Sequence, residues 1–306
     1  MSGTRTADAS GRAAPDFLTA MVQAARQRVA EARERERLAA PGTTLAGAPA
    51  RELAADLHAV GAGTQPSATP RRAPGRLHEA LTRARASGRL GVIAEVKRRS
   101  PSAGDIAPRL DAAAQAQAYE AAGADVVSVL TEPTRFGGSL QDLAEAAMAV
   151  SLPVLRKDFI VDTVQVREAA AAGAAAVLLI VAALDDATLR DLLHACEACG
   201  LDALVETHSA DELRRALAAG AAIVGINNRD LRSLAVDLTV TEELAGLVPA
   251  EGALVVSESG IATPAHARRA AAAGAHAVLV GEALVRAAPE RLADLIADLQ
   301  AGGRPS

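Results

Sequence analysis

Eight short Val/Leu/Ile runs alternating with Ala-, Leu-, Glu- and Arg-rich helical stretches over about 200 residues predict an α/β fold, a (β/α)8 barrel with an N-terminal helical extension. Two further observations support it. Ala-Gly-Ala recurs at Ala122-Gly123-Ala124, Ala172-Gly173-Ala174, Ala219-Gly220-Ala221 and Ala273-Gly274-Ala275. Each copy closes an Ala-rich helix and leads into a strand, with a period of roughly 50 residues, about two βα units. Polar residues also gather at the C-terminal ends of the strands, the face on which barrel active sites assemble. An open doubly wound sheet would place a Gly-rich nucleotide turn after strand one, and Arg98-Arg99-Ser100-Pro101-Ser102 is not that turn.

In chain order, residues 1–14 read as a disordered N-terminus. Residues 15–76 read as a helical extension followed by a mobile segment. Its helix carries the apolar stripe Phe17, Leu18, Met21, Val22, Ala25 and Val29 and ends in the charged run Glu31 to Arg37. Such a helix is expected to lie across one barrel end. Residues 41–76 are rich in Gly, Pro, Ala and Thr, with a weak helix around Glu52 to His58, and are expected to be mobile. The barrel domain spans 77–306, entered by a helix over Arg76 to Ser87. Strand one is Val92 to Lys97, two Val126 to Leu130, three Pro153 to Arg156 and four Ala176 to Val181. Strand five is Ala203 to Glu206, six ends at Asn227, seven is Ala253 to Ser257 and eight Ala277 to Val280.

Half of the 306 residues are apolar, enough for a full core, so disorder of the whole chain is excluded. A net charge of -5 and a pI of about 5.7 argue against a nucleic-acid partner, although a local basic pocket can still hold a small phosphorylated molecule. Cys196 and Cys199 form a lone Cys-x-x-Cys near a helix end, without the second pair a four-ligand zinc site needs. They read as small packing residues before a glycine cap, in a reducing compartment. The N-terminus has no apolar core of the secretion-signal kind. The uncharged run Ala169 to Leu184 is short for a membrane span and splits better into a helix end and a strand. A cytoplasmic protein with no membrane partner is expected.

Glu95 and Lys97 put opposite charges two residues apart in an otherwise apolar strand, so both face the barrel interior. Lys157 ends strand three, Glu206 strand five, Asn227 strand six and Glu258 strand seven. Any one of these alone reads as a solvated loop residue. Several converging charges can hold one another while shifting their pKa values, which suits acid–base chemistry on an anionic substrate. Ser259-Gly260 and Gly281 fit the phosphate cradle made by the loops after strands seven and eight, although the same glycines serve in tight turns. Glu282 beside Gly281 is expected to point away from a phosphate. Aromatic residues are scarce, and Phe136 and Phe159 both fall at the expected mouth, which suggests a planar ligand.

The stretches Ile93-Ala94-Glu95-Val96-Lys97-Arg98-Arg99-Ser100-Pro101-Ser102, Leu155-Arg156-Lys157-Asp158-Phe159, Gly225-Ile226-Asn227-Asn228-Arg229-Asp230-Leu231 and Ser257-Glu258-Ser259-Gly260-Ile261 together resemble the indole-3-glycerol-phosphate synthase family. The resemblance runs from about Phe17 to the C-terminus. It implies a lyase of tryptophan biosynthesis that converts 1-(2-carboxyphenylamino)-1-deoxyribulose 5-phosphate into indole-3-glycerol phosphate, releasing CO2 and water. No cofactor or metal is implied, because the cationic ring-closed intermediate is itself the electron sink for decarboxylation. Carried over residue by residue, Lys157 resembles the general acid of ring closure, Lys97 a substrate contact that assists in the dehydration, and Glu206 the base of the dehydration. Glu95 and Asn227 position groups around the reacting centre, and Glu258 belongs with them. Ser100, Pro101, Phe136, Phe159, Arg229 and Ser259 are implied substrate contacts, with Ser259, Gly260 and Gly281 around the phosphate.

The chain departs from the pattern at two places. Glu282 stands where many relatives have a phosphate-binding serine, and the segments before residue 17 and up to residue 76 lack a clear counterpart, consistent with a mobile lid. The expected partner is a small phosphorylated molecule with an anthranilate ring, bound by a monomer. Another phosphosugar barrel, such as phosphoribosylanthranilate isomerase with its Cys and Asp pair, is the nearest alternative, but no Cys ends a strand here. A non-catalytic phosphate-binding barrel would have no use for Glu95, Lys97, Lys157 and Glu206 together.

Overall fold

The computed structural model describes residues 16–39 and 75–303. The expected disorder of 1–14, and the expected mobility and weak Glu52 to His58 helix of 41–74, lie outside the described residues. Eight parallel strands close on themselves: β1 (Gly91–Val96), β2 (Val126–Leu130), β3 (Val154–Lys157), β4 (Ala176–Ile180), β5 (Asp202–Thr207), β6 (Ile223–Asn227), β7 (Leu254–Glu258) and β8 (Ala277–Val280). β1 is bonded to both β2 and β8, which completes the barrel read from the sequence. The helices are α1 (Phe17–Ala39), α2 (Arg76–Ala86), α3 (Ala112–Ala121), α4 (Leu140–Ala149), α5 (Thr163–Ala171), α6 (Asp186–Ala198), α7 (Ala210–Ala218), α8 (Thr239–Leu244), α9 (Pro264–Ala272), α10 (Glu282–Val285) and α11 (Pro289–Gln300). A small hairpin, Arg99–Ser100 with Gly104–Asp105, stands in the loop after β1.

The Ala-Gly-Ala repeats are helix stops. Gly123, Gly173, Gly220 and Gly274, with φ of 89°, 82°, 91° and 107°, take the left-handed conformation that glycine adopts without a Cβ penalty. The alanine after each sends its N–H back to a carbonyl of the last turn, as in Ala124 to Tyr119 and Ala174 to Ala169, both 3.0 Å. α3, α5, α7 and α9 end this way, so the repeat announces every even-numbered strand. α6 ends in the same manner at Gly200, where Leu201 N–H bonds the Cys196 carbonyl at 2.8 Å. The two cysteines therefore sit on the last turn of an outer helix, with Cys196 buried. At the other helix ends, Asp111, Ser139, Asp162, Asp185, Ser209 and Thr263 each accept a first-turn N–H.

The strand register sets the height of every inward side chain. From Glu95 the ladder runs through Ser128 and Leu155 to Ala176, four residues short of Ile180. From Ile180 it runs through Glu206, Gly225, Val256 and Ala277 to Gly91, four residues short of Glu95. One circuit thus climbs by the shear of eight expected for this barrel, and inward residues stack in layers of four from alternate strands. Ile93, Leu155, Leu204 and Val256 make one apolar layer, and Leu178 and Leu279 belong to the next. Outward residues such as Val92, Val127, Val177 and Val255 pack against the helices.

The barrel is covered at both ends. Below, α2 inserts Leu77 and Leu81, and Asp202 at the foot of β5 accepts the N–H groups of Leu77 (2.9 Å) and His78 (3.1 Å). Above, α1 buries Leu18, Met21 and Ala25 in the same apolar cluster as Phe159 and Ile180. It is pinned there by Arg28, which donates to Asp158 at 2.7 Å and Glu132 at 3.5 Å, and by Arg33 on Asp162 at 2.7 Å. Asp158 also accepts the Phe159 N–H, and Glu132 that of Phe136. One cation on α1 therefore organises the loops after β2 and β3.

His276, just before β8, accepts the Val255 N–H through Nδ1 at 2.9 Å, a bond only the neutral ring can make. Burial, with help from Arg85, pushes its pKa down from 6.5 to about 4. Because the unfolded chain takes up this proton first, the contribution of His276 to stability is complete above about 6.5 and is lost as pH falls toward about 4. His276→Asn, whose Oδ1 can accept the same N–H without titrating, should lose less stability than the parent between pH 7 and pH 4.5 in urea unfolding; equal losses would show that His276 does not titrate in this window.

Candidate active site

The uppermost complete layer of the barrel is ionisable: Glu95 from β1, Lys157 from β3, Glu206 from β5 and Glu258 from β7. Lys157 Nζ lies 3.3 Å from Glu206 Oε2 and 3.2 Å from Glu258 Oε2. Lys97, one residue beyond β1, lies 2.7 Å from Glu95 Oε1. The even strands make room for these side chains. A Cβ on Gly225 would run into Glu258 Oε1, and one on Gly281 would come within 2.5 Å of Glu95 Oε1 and 2.9 Å of Lys97 Nζ. Ser128, paired in register with both Glu95 and Leu155, is likewise small and fully buried.

Burial opposes charge on Lys157, Glu206 and Glu258, and the neighbours decide which charges survive. For Lys157, burial pulls the pKa down, but Glu258, Glu206 and Glu95 together outweigh it and hold it above that of an ordinary lysine. For Glu258, burial pushes the pKa up; Lys157 opposes the rise while Glu206 and Glu95 add to it, and the carboxyl titrates at about 7. For Glu206, burial again pushes up, but Lys157, His208 and a hydrogen bond from Asn227 bring it below the usual glutamate value. Near neutrality the layer therefore holds a charged lysine, an ionised Glu206 and a Glu258 that exchanges its proton readily.

A cavity of about 420 Å³ opens above the layer. It is lined by every site residue read from the sequence: Glu95, Lys97, Ser100, Pro101, Phe136, Lys157, Phe159, Glu206, Asn227, Arg229, Glu258, Ser259, Gly260 and Gly281. Its aromatic wall has a member the sequence reading assigned only to a helix stripe. Phe17 of α1 meets Phe136 and Phe159 edge-on, with ring centroids 6.4 Å and 6.2 Å away, so all three phenylalanines of the chain gather at the mouth. The loops after β1 and β2 are joined by Arg98, which donates to the Gly137 carbonyl at 3.1 Å and grips Asp142 at 2.6 and 2.7 Å.

Opposite the aromatic wall, Ser259 and Gly260 turn with φ of 67° and 78°, and Gly281 precedes α10. Leu234, in the loop after β6, is the other non-glycine residue with positive φ among the described residues, and it too lines the cavity. Strained backbone at the rim of a site is a recurrent feature of ligand clamps. Arg229 is held beside it by donation to the Leu234 carbonyl at 2.8 Å. Glu282, the first residue of α10, is among the residues around the cavity, and its carboxylate is paired with Arg286 at 2.9 Å along the helix, which compensates its charge.

A closed (β/α)8 barrel with an ionisable layer beneath an aromatic-walled mouth defines an enzyme of the acid–base barrel class. A sequence model described as Indole-3-glycerol phosphate synthase matches residues 46–295. Two similar proteins carry that description: one from Kineococcus radiotolerans, 50% identical over 76% of this chain and 85% of its own, and one from Mycolicibacterium smegmatis, 50% identical over 71% and 79%. The chain belongs to the indole-3-glycerol phosphate synthase family, carboxy-lyases of tryptophan biosynthesis. A solved tryptophan synthase from M. tuberculosis is similar in fold, with a TM-score of 0.59 at 21% identity, covering 76% of this chain and 100% of that one.

Gly225→Ala tests the spacing of the layer. Its methyl group should displace the Glu258 carboxylate, cost about 1–3 kcal/mol in urea unfolding and lower kcat; parent-like stability and kcat would mean that Glu258 has room to spare.

Proposed function

We propose that this chain catalyses its family's reaction with the residues that meet in the cavity, closing the indole ring of 1-(2-carboxyphenylamino)-1-deoxyribulose 5-phosphate with loss of CO2 and water. The observation that carries the assignment of roles is the Lys157 ammonium between Glu206 and Glu258 at the floor of an aromatic-walled cavity. Ring closure turns the ribulose carbonyl into an alkoxide as the anthranilate ring carbon attacks it. Lys157 gives that oxygen its proton, and the glutamates that keep the lysine charged ensure that the proton is present at neutral pH. Phe17, Phe136 and Phe159 hold the anthranilate ring beside the carbonyl carbon, which reduces the entropy still to be lost in the bond-forming step.

Decarboxylation restores the aromatic ring and leaves a hydroxyl on the new five-membered ring. In the dehydration, Lys97 assists departure of that hydroxyl as water and Glu206 removes the proton from the adjacent carbon. Glu95 keeps Lys97 in place at 2.7 Å, and Asn227 steadies Glu206. Glu258, near its titration midpoint, resupplies Lys157. At the far end, the phosphate rests against the backbone of Ser259, Gly260 and Gly281, with Arg229 as the nearby cation, while Ser100 and Pro101 of the first loop close over the substrate.

We read residues 77–306 as the catalytic barrel and 15–76 as the extension, whose helix α1 brings Phe17 to the cavity. The enzyme is read as a monomer that acts in the cytoplasm with the rest of a small-molecule pathway. Among the described residues no helix is long and apolar enough to cross a membrane. Cys196 on α6 and Cys199 at its C-cap lie outside the cavity, which speaks against the Cys-dependent isomerase alternative.

Mixing the enzyme with the carboxyphenylamino deoxyribulose phosphate should produce indole fluorescence, easily read because the chain has no Trp; absence of signal at micromolar enzyme would refute the reading. Lys157→Ala should reduce turnover by roughly 10²–10⁴-fold while the protein stays folded by circular dichroism, because Glu258 can take up a proton when the cation is removed. Unchanged turnover would rule out Lys157 as the acid.

A further inference from the structure

His208, the first residue after β5, stands behind Glu206 rather than in the cavity wall. Its backbone N–H donates to Glu212 Oε2 at 2.8 Å, and its ring Nδ1 lies 3.2 Å from the same oxygen. Glu212 is in turn fixed at the start of α7, where its own N–H is capped by Ser209 Oγ at 3.2 Å. An oxygen that already accepts one N–H accepts a second, so the proton on Nδ1 belongs to the bond with Glu212. The other ring nitrogen then faces the active site.

That nitrogen, Nε2, lies 3.4 Å from Glu206 Oε1. Both atoms are buried and, among the described residues, neither has another hydrogen-bond partner. Two bare lone pairs opposed in a dry site repel, so a proton lies between them, and with Glu206 ionised that proton makes His208 an imidazolium. Glu206 is thereby held from both sides, by Lys157 on Oε2 and by His208 on Oε1. The other charges facing the ring agree in sign. Glu212 touches it directly, Glu258 acts across the layer, and Asp230 acts from the loop after β6. Burial alone would pull the His208 pKa down, but these carboxylates outweigh it and the net direction is up.

We propose that His208, oriented by Glu212, is a positioning residue that fixes the Glu206 carboxylate and keeps it ionised, so that Glu206 serves as a base although it shares Lys157 with a second buried glutamate. The proposal rests on the assignment of Glu206 as the base of the dehydration. It makes His208 and Glu212 part of the machinery without contact to substrate.

The test separates charge from packing. His208→Gln keeps an N–H donor toward Glu206 but removes the positive charge, and Glu212→Gln keeps the acceptor for the His208 N–H but weakens the imidazolium. Both should move the acid limb of the kcat profile to higher pH, by roughly one unit for His208→Gln, with kcat recovering as pH rises and KM little changed. A lowered kcat whose pH profile keeps the parent's shape would overturn the proposal and leave His208 a structural residue. Ring nitrogen NMR of the unliganded parent provides a readout without turnover: the His208 signal, identified by its loss in His208→Gln, should report an imidazolium at neutral pH and the Nδ1–H tautomer at high pH, with the pKa falling in Glu206→Gln. A neutral ring at pH 7, or a pKa indifferent to Glu206→Gln, also overturns it. Parent enzyme that fails to make indole-3-glycerol phosphate would instead refute the reaction, while the NMR arm still decides the His208–Glu206 contact.

Discussion

The structure turns on the charge balance of a single buried layer. Three glutamates and two lysines share the top of a barrel whose lower layers are aliphatic, and no member could stay charged there alone. Lys157 is stabilised by two carboxylates it nearly touches, Glu95 and Lys97 neutralise each other, and the surplus negative charge falls on Glu258, which responds by titrating near neutrality. Reactivity and stability have the same origin here. The same balance that lets Lys157 keep its proton leaves that of Glu258 free to move near neutrality.

The barrel supplies geometry to this layer and the loops enclose it. A shear of eight brings the ends of β1, β3, β5 and β7 to one height, and the intervening strands present the small Ser128 and, at Gly225 and Gly281, positions where a Cβ would strike a carboxylate. Around the rim, arginines do what apolar packing does in the barrel wall. Arg98 joins the first two loops, buried Arg156 bonds Thr131, Asp158, Glu168 and the Gln165 carbonyl, and Arg28 brings α1 onto Asp158 and Glu132. The forked guanidinium suits this task because one side chain can satisfy acceptors from several loops at once.

Much of this was legible in the sequence because barrel strands expose their chemistry at fixed places. Glu95, Lys97, Lys157, Glu206, Asn227 and Glu258 each interrupt or end an apolar run, and a charge there has few structural excuses. The Ala-Gly-Ala repeat was equally readable, since glycine at a helix stop reflects a local backbone requirement. Phe17 was not, because an apolar residue in an amphipathic helix looks the same whether it faces a core or a ligand. Nor was Gly225, whose meaning depends on Glu258 two strand positions away in space and 33 residues away in sequence. His208 follows Glu206 by two positions, yet its partnership with Glu212 exists only once α7 has formed.

The layering also divides labour between the two sets of strands. Odd strands carry the ionisable groups, and even strands at the same depth carry glycine, serine or aliphatic side chains that decide how much space those groups and a ligand have. Substitutions in the first set replace the ionisable groups; substitutions at Gly225 or Gly281 in the second move them, because a Cβ there meets Glu258, Glu95 or Lys97. Charge and the space it needs are thus encoded at alternating positions around one ring, so the acid–base apparatus can be retuned from strands that carry none of its charges.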